Sequence, residues 1–126
     1  MKYVQMICCM LLMMACKKEV LPETPDFNVR SAAVTFQAGK EGVFEFEGTA
    51  GIISFYSGEA GNEYVPGAPD GVNKSLAVKG NSDSRLAVFA YAYRTKGVYK
   101  AYFVAKNANI YGVREVVKAI DVTVTE

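Results

Sequence analysis

The sequence predicts an all-β protein, a small antiparallel β-sandwich of about seven strands. Short runs rich in Val, Ala, Phe and Tyr recur over residues 27–126, and turn-forming segments separate them at regular intervals. No apolar repeat of helical period lasts for three turns in this region. With 126 residues in the whole chain, residues 27–126 can form one small domain.

The candidate strands follow in chain order, and each is bounded by residues that favour turns. They cover residues 28–30, 34–37, 42–47, 52–56, 75–79, 85–93, 98–107 and 113–125. The intervening turns are rich in Gly, Asn, Asp and Pro, at residues 38–40, 48–50, 66–71, 80–83, 95–97 and 107–109. This spacing favours a sandwich over alternating strands and helices.

Residues 98–107 have the clearest strand pattern, because their side chains alternate between two faces. One face is expected in the core and carries Tyr99, Ala101, Phe103 and Ala105. The other face is expected to be partly exposed and carries Lys100, Tyr102, Val104 and Lys106.

The last strand shows a change of register. Ile120, Val122 and Val124 alternate with polar residues and are expected in the core. Val113 and Val117 lie in the opposite register, so we predict a bulge or bend at residues 118–120.

The stretch GIISFYSGEAGNEY, residues 51–64, combines a strand with a loop. Alternation places Ile53 and Phe55 in the core. Residues 57–64 then form a loop in which Gly58 and Gly61 permit positive φ angles.

Composition excludes several classes of function. The net charge is +1, with basic residues scattered among acids, so we expect no nucleic-acid partner. Histidine is absent, which removes the commonest general base and zinc ligand. We therefore expect a protein that is not an enzyme, with no metal and no cofactor.

Residues 1–16, MKYVQMICCMLLMMAC, have the form of an export signal. Lys2 precedes an apolar run that is shorter than the roughly 20 residues needed to span a bilayer, as in a signal peptide of residues 1–15. The junction Met13-Met14-Ala15-Cys16 resembles a bacterial lipobox, which implies that Cys16 is lipidated in the mature chain. The alternative is an N-terminus that is uncleaved or simply secreted.

Lipidation of Cys16 implies firm attachment to a membrane. The following Lys17-Lys18-Glu19 has no Asp directly after the cysteine, the residue that resembles an inner-membrane retention signal. It places charge where surface-export signals of Bacteroidota-type lipoproteins lie. We therefore expect an outer-membrane protein exposed at the cell surface. Residues 16–26 form the lipidated cysteine and a flexible, proline-containing tether, and a first edge strand from Val20 is the alternative.

The segment FAYAYRTKGVYKAYFVAKNANIYGVREVVKAIDVTV resembles the second half of a PKD-type immunoglobulin-like domain. The matching positions are aromatic, small or turn-forming: Tyr91, Tyr93, Gly97, Tyr99, Ala101, Phe103, Ala105, Asn107 and Gly112. The resemblance implies that Tyr93, at a strand end, buries its ring and bonds its hydroxyl to nearby backbone, as in a tyrosine corner. Tyr93, Tyr99 and Phe103 are expected to have core roles.

The first half departs from that family, since the usual Trp-Asp-Phe-Gly-Asp-Gly stretch is replaced by Ser54-Phe55-Tyr56-Ser57-Gly58-Glu59. However, FEFEGTAGIISFYSGEAGNEY and the preceding FNVRSAAVTFQAGKEGVFEFEG are similar to the N-terminal PKD-like domain of certain cell-surface lipoproteins. Those lipoproteins are encoded with Sus-like glycan-uptake systems and are of unknown function. The resemblance implies a role in glycan uptake, and longer members carry further domains after this one.

A ligand site has several candidate residues, each with a simple structural alternative. Our first choice is Tyr56, Glu59, Asn62 and Tyr64, because sugar binding uses aromatic faces beside amides and acids. Further candidates for the same role are Tyr102, Tyr111, Asn109 and Glu63. Carboxylate pairs drawn from Glu59, Glu63 and Asp70 match no catalytic motif, and these acids with Asn62 match no calcium-binding spacing. Packing and loop solvation are the alternatives.

The sequence as a whole predicts a lipid-anchored, non-catalytic module of the outer membrane. We expect it to act as a spacer, docking or accessory domain in glycan capture and uptake. Two alternatives remain open: direct carbohydrate binding through exposed tyrosines, and subunit contact within an outer-membrane complex. Its expected partners are the membrane, a glycan, or other subunits of a glycan-uptake complex.

Overall fold

The computed structural model describes residues 20–69, 72–80 and 84–126, which contain strands and no helix. The strands are β1 (Asn28–Val29), β2 (Ala33–Gln37), β3 (Glu41–Glu47), β4 (Ile52–Tyr56), β5 (Leu76–Lys79), β6 (Val88–Ala92), β7 (Gly97–Asn109) and β8 (Gly112–Thr125). The predicted all-β class is confirmed. No helix in these ranges is long and apolar enough to cross a membrane.

The strands form two sheets, one of three strands in the order β1-β3-β6 and one of five in the order β2-β8-β7-β4-β5. The β3 and β6 strands thus lie in one sheet and β4, β7 and β8 in the other, as in an immunoglobulin-like sandwich. The prediction of a purely antiparallel structure is wrong at one edge, because β2 pairs with β8 in parallel. After β1 the chain enters the second sheet without reversing, and side-chain alternation cannot reveal that direction.

Aromatic rings from the two sheets interlock to form the core. Phe44 and Phe46 of β3 approach Phe103 of β7 with ring centroids 5.2 and 4.9 Å away. Phe55 of β4 lies 5.3 Å from Phe44 and 5.1 Å from Phe89 of β6. These edge-on and tilted pairs bring the facing sheets into van der Waals contact, so the core depends on both halves of the sequence.

The predicted inward faces of β4, β7 and β8 are largely confirmed. The buried side chains include Ile53, Phe55, Ala101, Phe103, Ala105, Ile120, Val122 and Val124. Tyr99 is partly buried and packs against this core. Val104, which was expected on the partly exposed face, is buried as well.

The bulge predicted at residues 118–120 is absent. Pairing between β7 and β8 runs without interruption from Gly97 with Val124 to Asn109 with Gly112. Val117 instead lies opposite Val104 on the outer face, and Val113 is exposed near the end of the hairpin. The apparent register change therefore arises from apolar residues that are outside the core.

The tyrosine-corner geometry belongs to Tyr99 rather than to Tyr93. The Tyr99 hydroxyl donates to the carbonyl of Thr95, four residues upstream, at 2.8 Å. Tyr93 is fully buried, as expected, but its hydroxyl donates to the distant carbonyl of Ser57 at 2.8 Å. Its partner lies in another loop because the end of β6 faces the end of β4.

Residues 20–26 lie against the domain, although a flexible tether was expected over residues 16–26. The Asn109 and Asn107 side-chain amides donate to the carbonyls of Val20 and Glu23, at 2.9 and 3.0 Å. The Asp26 carboxylate accepts a hydrogen bond from the Thr49 amide at 2.9 Å. The predicted signal peptide of residues 1–15 and the lipidation site Cys16 lie outside the described residues.

Candidate functional site

Three tyrosines meet on the outer face of the five-stranded sheet. Tyr56 ends β4 and is paired directly with Tyr102 of β7, so both rings point away from the core side on which Phe55 and Phe103 lie. Tyr64, from the loop after β4, places its ring centroid 5.3 Å from that of Tyr56 and 5.0 Å from that of Tyr102. We call Tyr56, Tyr64 and Tyr102 the tyrosine cluster.

Two clefts flank Tyr64 and extend the tyrosine cluster into a wider surface. One cleft has a volume of about 340 Å³ and is lined by residues that include Tyr64, Val98, Lys100 and Tyr102. The other has a volume of about 200 Å³ and lies between Tyr56, Tyr64 and the loop of residues 65–69. Both are shallow compared with the enclosed cavities that hold most small molecules. They can accommodate part of an elongated ligand that rests on the surface.

Two ion pairs lie on the same face of the sheet as the tyrosine cluster. Lys100 and Asp121 form an ion pair at 2.9 Å, and their hydrogen bond raises the pKa of the Lys100 ammonium. Lys106 and Glu115 form a second pair at 3.6 Å on the same face. Burial raises the pKa of Tyr64, with a smaller contribution from the negative charge of Glu115. The Tyr64 hydroxyl is therefore a neutral hydrogen-bonding group at ordinary pH.

Glu59 and Asn62, the other two first-choice residues, make contacts outside the tyrosine cluster. The Glu59 carboxylate accepts a hydrogen bond from the Tyr91 hydroxyl of β6, and burial together with this bond raises the pKa of Tyr91. The Asn62 side chain donates to the Lys74 carbonyl at 2.9 Å. Glu59 and Asn62 thus hold the loop in shape, whereas Tyr56 and Tyr64 come together.

The loop that carries Tyr64 requires glycine at two positions, as predicted. Gly58 and Gly61 have φ angles of 86° and 84°, which L side chains rarely adopt. The amide of Gly58 donates to the Asn62 carbonyl at 3.0 Å, and the Asn62 amide donates to the Glu59 carbonyl at 2.8 Å. This tight turn directs the following residues back over the sheet.

The remaining sequence candidates lie elsewhere. Asn109 and Tyr111 are at the β7–β8 turn, where the Asn109 side-chain oxygen accepts the Tyr111 amide at 2.9 Å. Since Asn109 follows Tyr102 by seven strand residues, the two are separated by about 24 Å. Glu63 lines both clefts beside Tyr64, and Asp70 is outside the described residues. The described ranges contain no group of three or more acidic side chains placed to hold a metal ion.

Side-chain alternation predicts that Tyr102 lies on an outer face, but it does not indicate that Tyr56 is its neighbour, and Tyr102 is not among our four first-choice residues. The pairing depends on which strands are neighbours, and no local signal in either strand specifies that. Lys100 and Glu115 likewise reach the site only through the pairing of neighbouring strands, which their local sequence does not indicate.

Comparison with known families relates this chain to a domain whose role is not known. Residues 15–66 match DUF5017, a domain of unknown function. The matched segment begins one residue before Cys16 and ends two residues after Tyr64. No curated protein and no solved structure matches the chain. The chain is thus similar to DUF5017 over residues 15–66, and that similarity carries no activity with it.

Proposed function

We propose that this protein is a lipid-anchored, non-catalytic module of the outer membrane, exposed at the cell surface. It serves as an accessory domain in glycan capture and uptake. The attachment is supported by the basic residue, apolar run and cysteine of residues 1–16. The absence of histidine, together with acids that match no catalytic motif, favours a binding role over an enzymatic one.

The proposed relation to PKD-like lipoprotein domains is supported by architecture and by sequence. The resemblance of residues 89–124 to a PKD-type domain agrees with an immunoglobulin-like strand order. The family match at residues 15–66 includes the candidate lipidation site. In the lipoproteins that this chain resembles, such a domain belongs to a glycan-uptake system, and we extend that context to this chain.

The tyrosine cluster is the observation that carries the glycan part of the proposal. A pyranose ring has flat C–H surfaces with hydroxyls around its edge, so it can stack on an aromatic face and hydrogen-bond to polar groups beside it. Tyr64 and Tyr102 supply aromatic surface, and Glu63 and Lys100 supply polar groups beside the clefts. Tyrosine suits this use because its rigid ring costs little conformational entropy when it is ordered by a ligand.

Affinity electrophoresis of the full chain through gels that contain different polysaccharides tests this proposal. We expect at least one polysaccharide to retard the protein, and Tyr102→Ala to weaken that binding about tenfold, the equivalent of about 1.4 kcal/mol. Tyr111→Ala is the matched control, because Tyr111 is a partly exposed tyrosine outside the cluster. The control is expected to bind as the wild-type chain does.

Failure of every polysaccharide to retard the wild-type chain would rule out direct glycan binding. Equal losses in Tyr102→Ala and Tyr111→Ala would exclude the tyrosine cluster as the binding surface. If the chain binds no glycan, pull-down from detergent-solubilised outer membranes tests the alternative of a subunit-contact protein. A stable outer-membrane partner would then place the module in a complex without a ligand of its own.

A further inference from the structure

Exposed apolar side chains collect at one end of the domain. The turn between β7 and β8 presents Ile110, which is 91% exposed, beside Tyr111 and Val113, and residues Val20 and Leu21 lie against the same turn. We call these five side chains the hairpin-tip patch. Monomeric proteins rarely expose a contiguous apolar patch unless it binds a ligand, another protein or a membrane.

The two segments of the patch are held together by specific contacts. The Asn109 side chain donates to the Val20 carbonyl and accepts from the amides of Tyr111 and Gly112. A Cβ atom on Gly112 would lie 2.8 Å from a Leu21 methyl group, so Gly112 leaves room for Leu21 to approach. The apolar groups are therefore displayed on an ordered turn.

The β7–β8 turn carries no charged residue, and two lysines come shortly before Val20 in the chain. Residues 108–113, ANIYGV, contain no charged side chain, whereas Lys17 and Lys18 precede Val20 directly after Cys16 and Glu19 follows them. Apolar groups with a tyrosine suit the interface between lipid chains and headgroups. Lysines a few residues before Val20 in the chain suit anionic headgroups.

We propose that the hairpin-tip patch lies in the interfacial layer of the same bilayer that holds the lipid on Cys16. The proposal rests on the lipidation of Cys16 included in the proposed function. Three residues lie between Cys16 and Val20, so the two Cα atoms are four residue steps apart, and a fully extended chain spans at most about 14 Å over that length. Val20, one of the five patch residues, therefore lies within that distance of Cys16.

This contact sets the orientation of the domain. With the β7–β8 turn at the membrane, β7 leads away from it and places Tyr102 about 24 Å along the strand from Asn109. The tyrosine cluster is then held clear of the lipid headgroups. The patch is a second contact with the bilayer, so it also limits the rotation of the domain about the lipidated cysteine.

Single-tryptophan fluorescence tests the contact, because the natural chain contains no tryptophan. Ile110→Trp reports on the patch, and Val98→Trp is the matched control, since Val98 is 79% exposed at the opposite end of β7. Each full-chain variant is purified from membranes and reconstituted into phosphatidylethanolamine–phosphatidylglycerol vesicles. A parallel set of vesicles contains phospholipids with brominated acyl chains.

We expect Ile110→Trp to emit at shorter wavelength in vesicles and to lose most of its fluorescence to brominated lipid. Val98→Trp is expected to keep its emission and to be quenched by aqueous iodide. Equal exposure of both tryptophans to iodide would overturn the proposal. So would a protected Ile110→Trp that brominated lipid does not quench, because that result would place a protein surface over the patch.

A second experiment tests the patch contact independently of the lipidation of Cys16. The chain from residue 16 onward includes every described residue and has Cys16 as its single cysteine, so it can be coupled to a maleimide lipid in the vesicle. Failure of the natural chain to associate with vesicles would contradict lipidation alone. Failure of the coupled Ile110→Trp chain to show lipid quenching would contradict the patch contact, whatever the natural anchor.

Discussion

Ser57 is a polar residue with only 2% of its surface exposed, and its hydrogen bonds explain why burial is tolerated. Its carbonyl accepts the Tyr93 hydroxyl at 2.8 Å, and its side-chain oxygen accepts the Glu59 amide at 3.3 Å. Buried polar groups cost little when such partners are present. At the scale of single residues, the end of β4 is thus joined to β6 by tyrosine hydroxyls.

Tyr93 should make stability sensitive to alkaline pH. Burial, with smaller contributions from Tyr91 and Glu59, raises its pKa. The folded chain then binds the phenol proton more tightly than the unfolded chain does, so this contribution is complete below about pH 10 and is lost as the pH rises further. We expect the free energy of unfolding to fall by up to about 1.4 kcal/mol per pH unit there.

Urea unfolding across that pH range measures the effect. Tyr93→Phe is expected to lose about 1 kcal/mol at neutral pH with the hydrogen bond to Ser57, and to show a shallower alkaline decline. Tyr111→Phe, which removes a hydroxyl from a partly exposed ring, is the control. If the free energy of unfolding falls equally steeply with alkaline pH in Tyr93→Phe and in the wild-type chain, Tyr93 is not the cause of the decline.

At the scale of elements, the long β7–β8 hairpin organises the sheet and the loop after β4 organises the candidate site. β7 pairs with β8 over its whole length and with β4 on its other side. The loop then folds back so that Tyr64 covers Tyr56 and Tyr102. The position of the cluster therefore depends on the turn at Gly58 and Gly61 as much as on the strands.

The two glycines of this turn should differ in their tolerance of alanine. Both have positive φ, which costs an L-residue about 1–2 kcal/mol. A Cβ on Gly58 would also lie 2.5 Å from the Lys100 carbonyl oxygen, whereas one on Gly61 would meet nothing within 4 Å. Gly58→Ala should therefore lose about 1–3 kcal/mol more than Gly61→Ala, because the backbone must move.

Chemical denaturation of the two variants gives this comparison directly. A larger loss in Gly58→Ala, with both chains still folded, supports the close approach of the loop to β7. Equal losses would show that the loop is not packed against Lys100 as described. Gly58→Ala should also bind more weakly to any polysaccharide that retards the wild-type chain, since Tyr64 moves with the loop.

At the scale of the whole molecule, one end of the sandwich receives the N-terminal segment and the tyrosine cluster lies further along the sheet. The Asn107 and Asn109 side chains hold residues 20–23 at that end. An anchor at Cys16 would therefore act on the domain through a short connection. The arrangement separates the proposed attachment from the proposed binding surface.

Attachment through Cys16 can be tested in cells independently of any ligand. Cys16→Ala should move the protein from the membrane fraction to the soluble fraction, because the hairpin-tip patch alone provides only weak, reversible attachment. Cys8→Ala and Cys9→Ala are matched controls within the same N-terminal region. They are expected to leave the protein in the membrane. A Cys16→Ala chain that stays membrane-bound after a salt wash would contradict the lipobox interpretation.

Local chemistry made much of the fold predictable. Alternation identified the inward faces of β4, β7 and β8, and turn residues located the loops, because both signals depend on neighbouring residues alone. The positive φ angles of Gly58 and Gly61 were predictable for the same reason. The bulge prediction failed because an exposed valine and a core valine look alike in the sequence.

The sequence by itself therefore determined the all-β class, most strand positions and the inward faces, since these follow from side-chain periodicity and turn preference. Only the tertiary structure decided the parallel pairing of β2, the partner of Tyr93 and the docking of residues 20–26. It also brought Tyr56, Tyr64 and Tyr102 together. Each of these depends on contacts between distant segments, whose partners are chosen by the packing of the whole core.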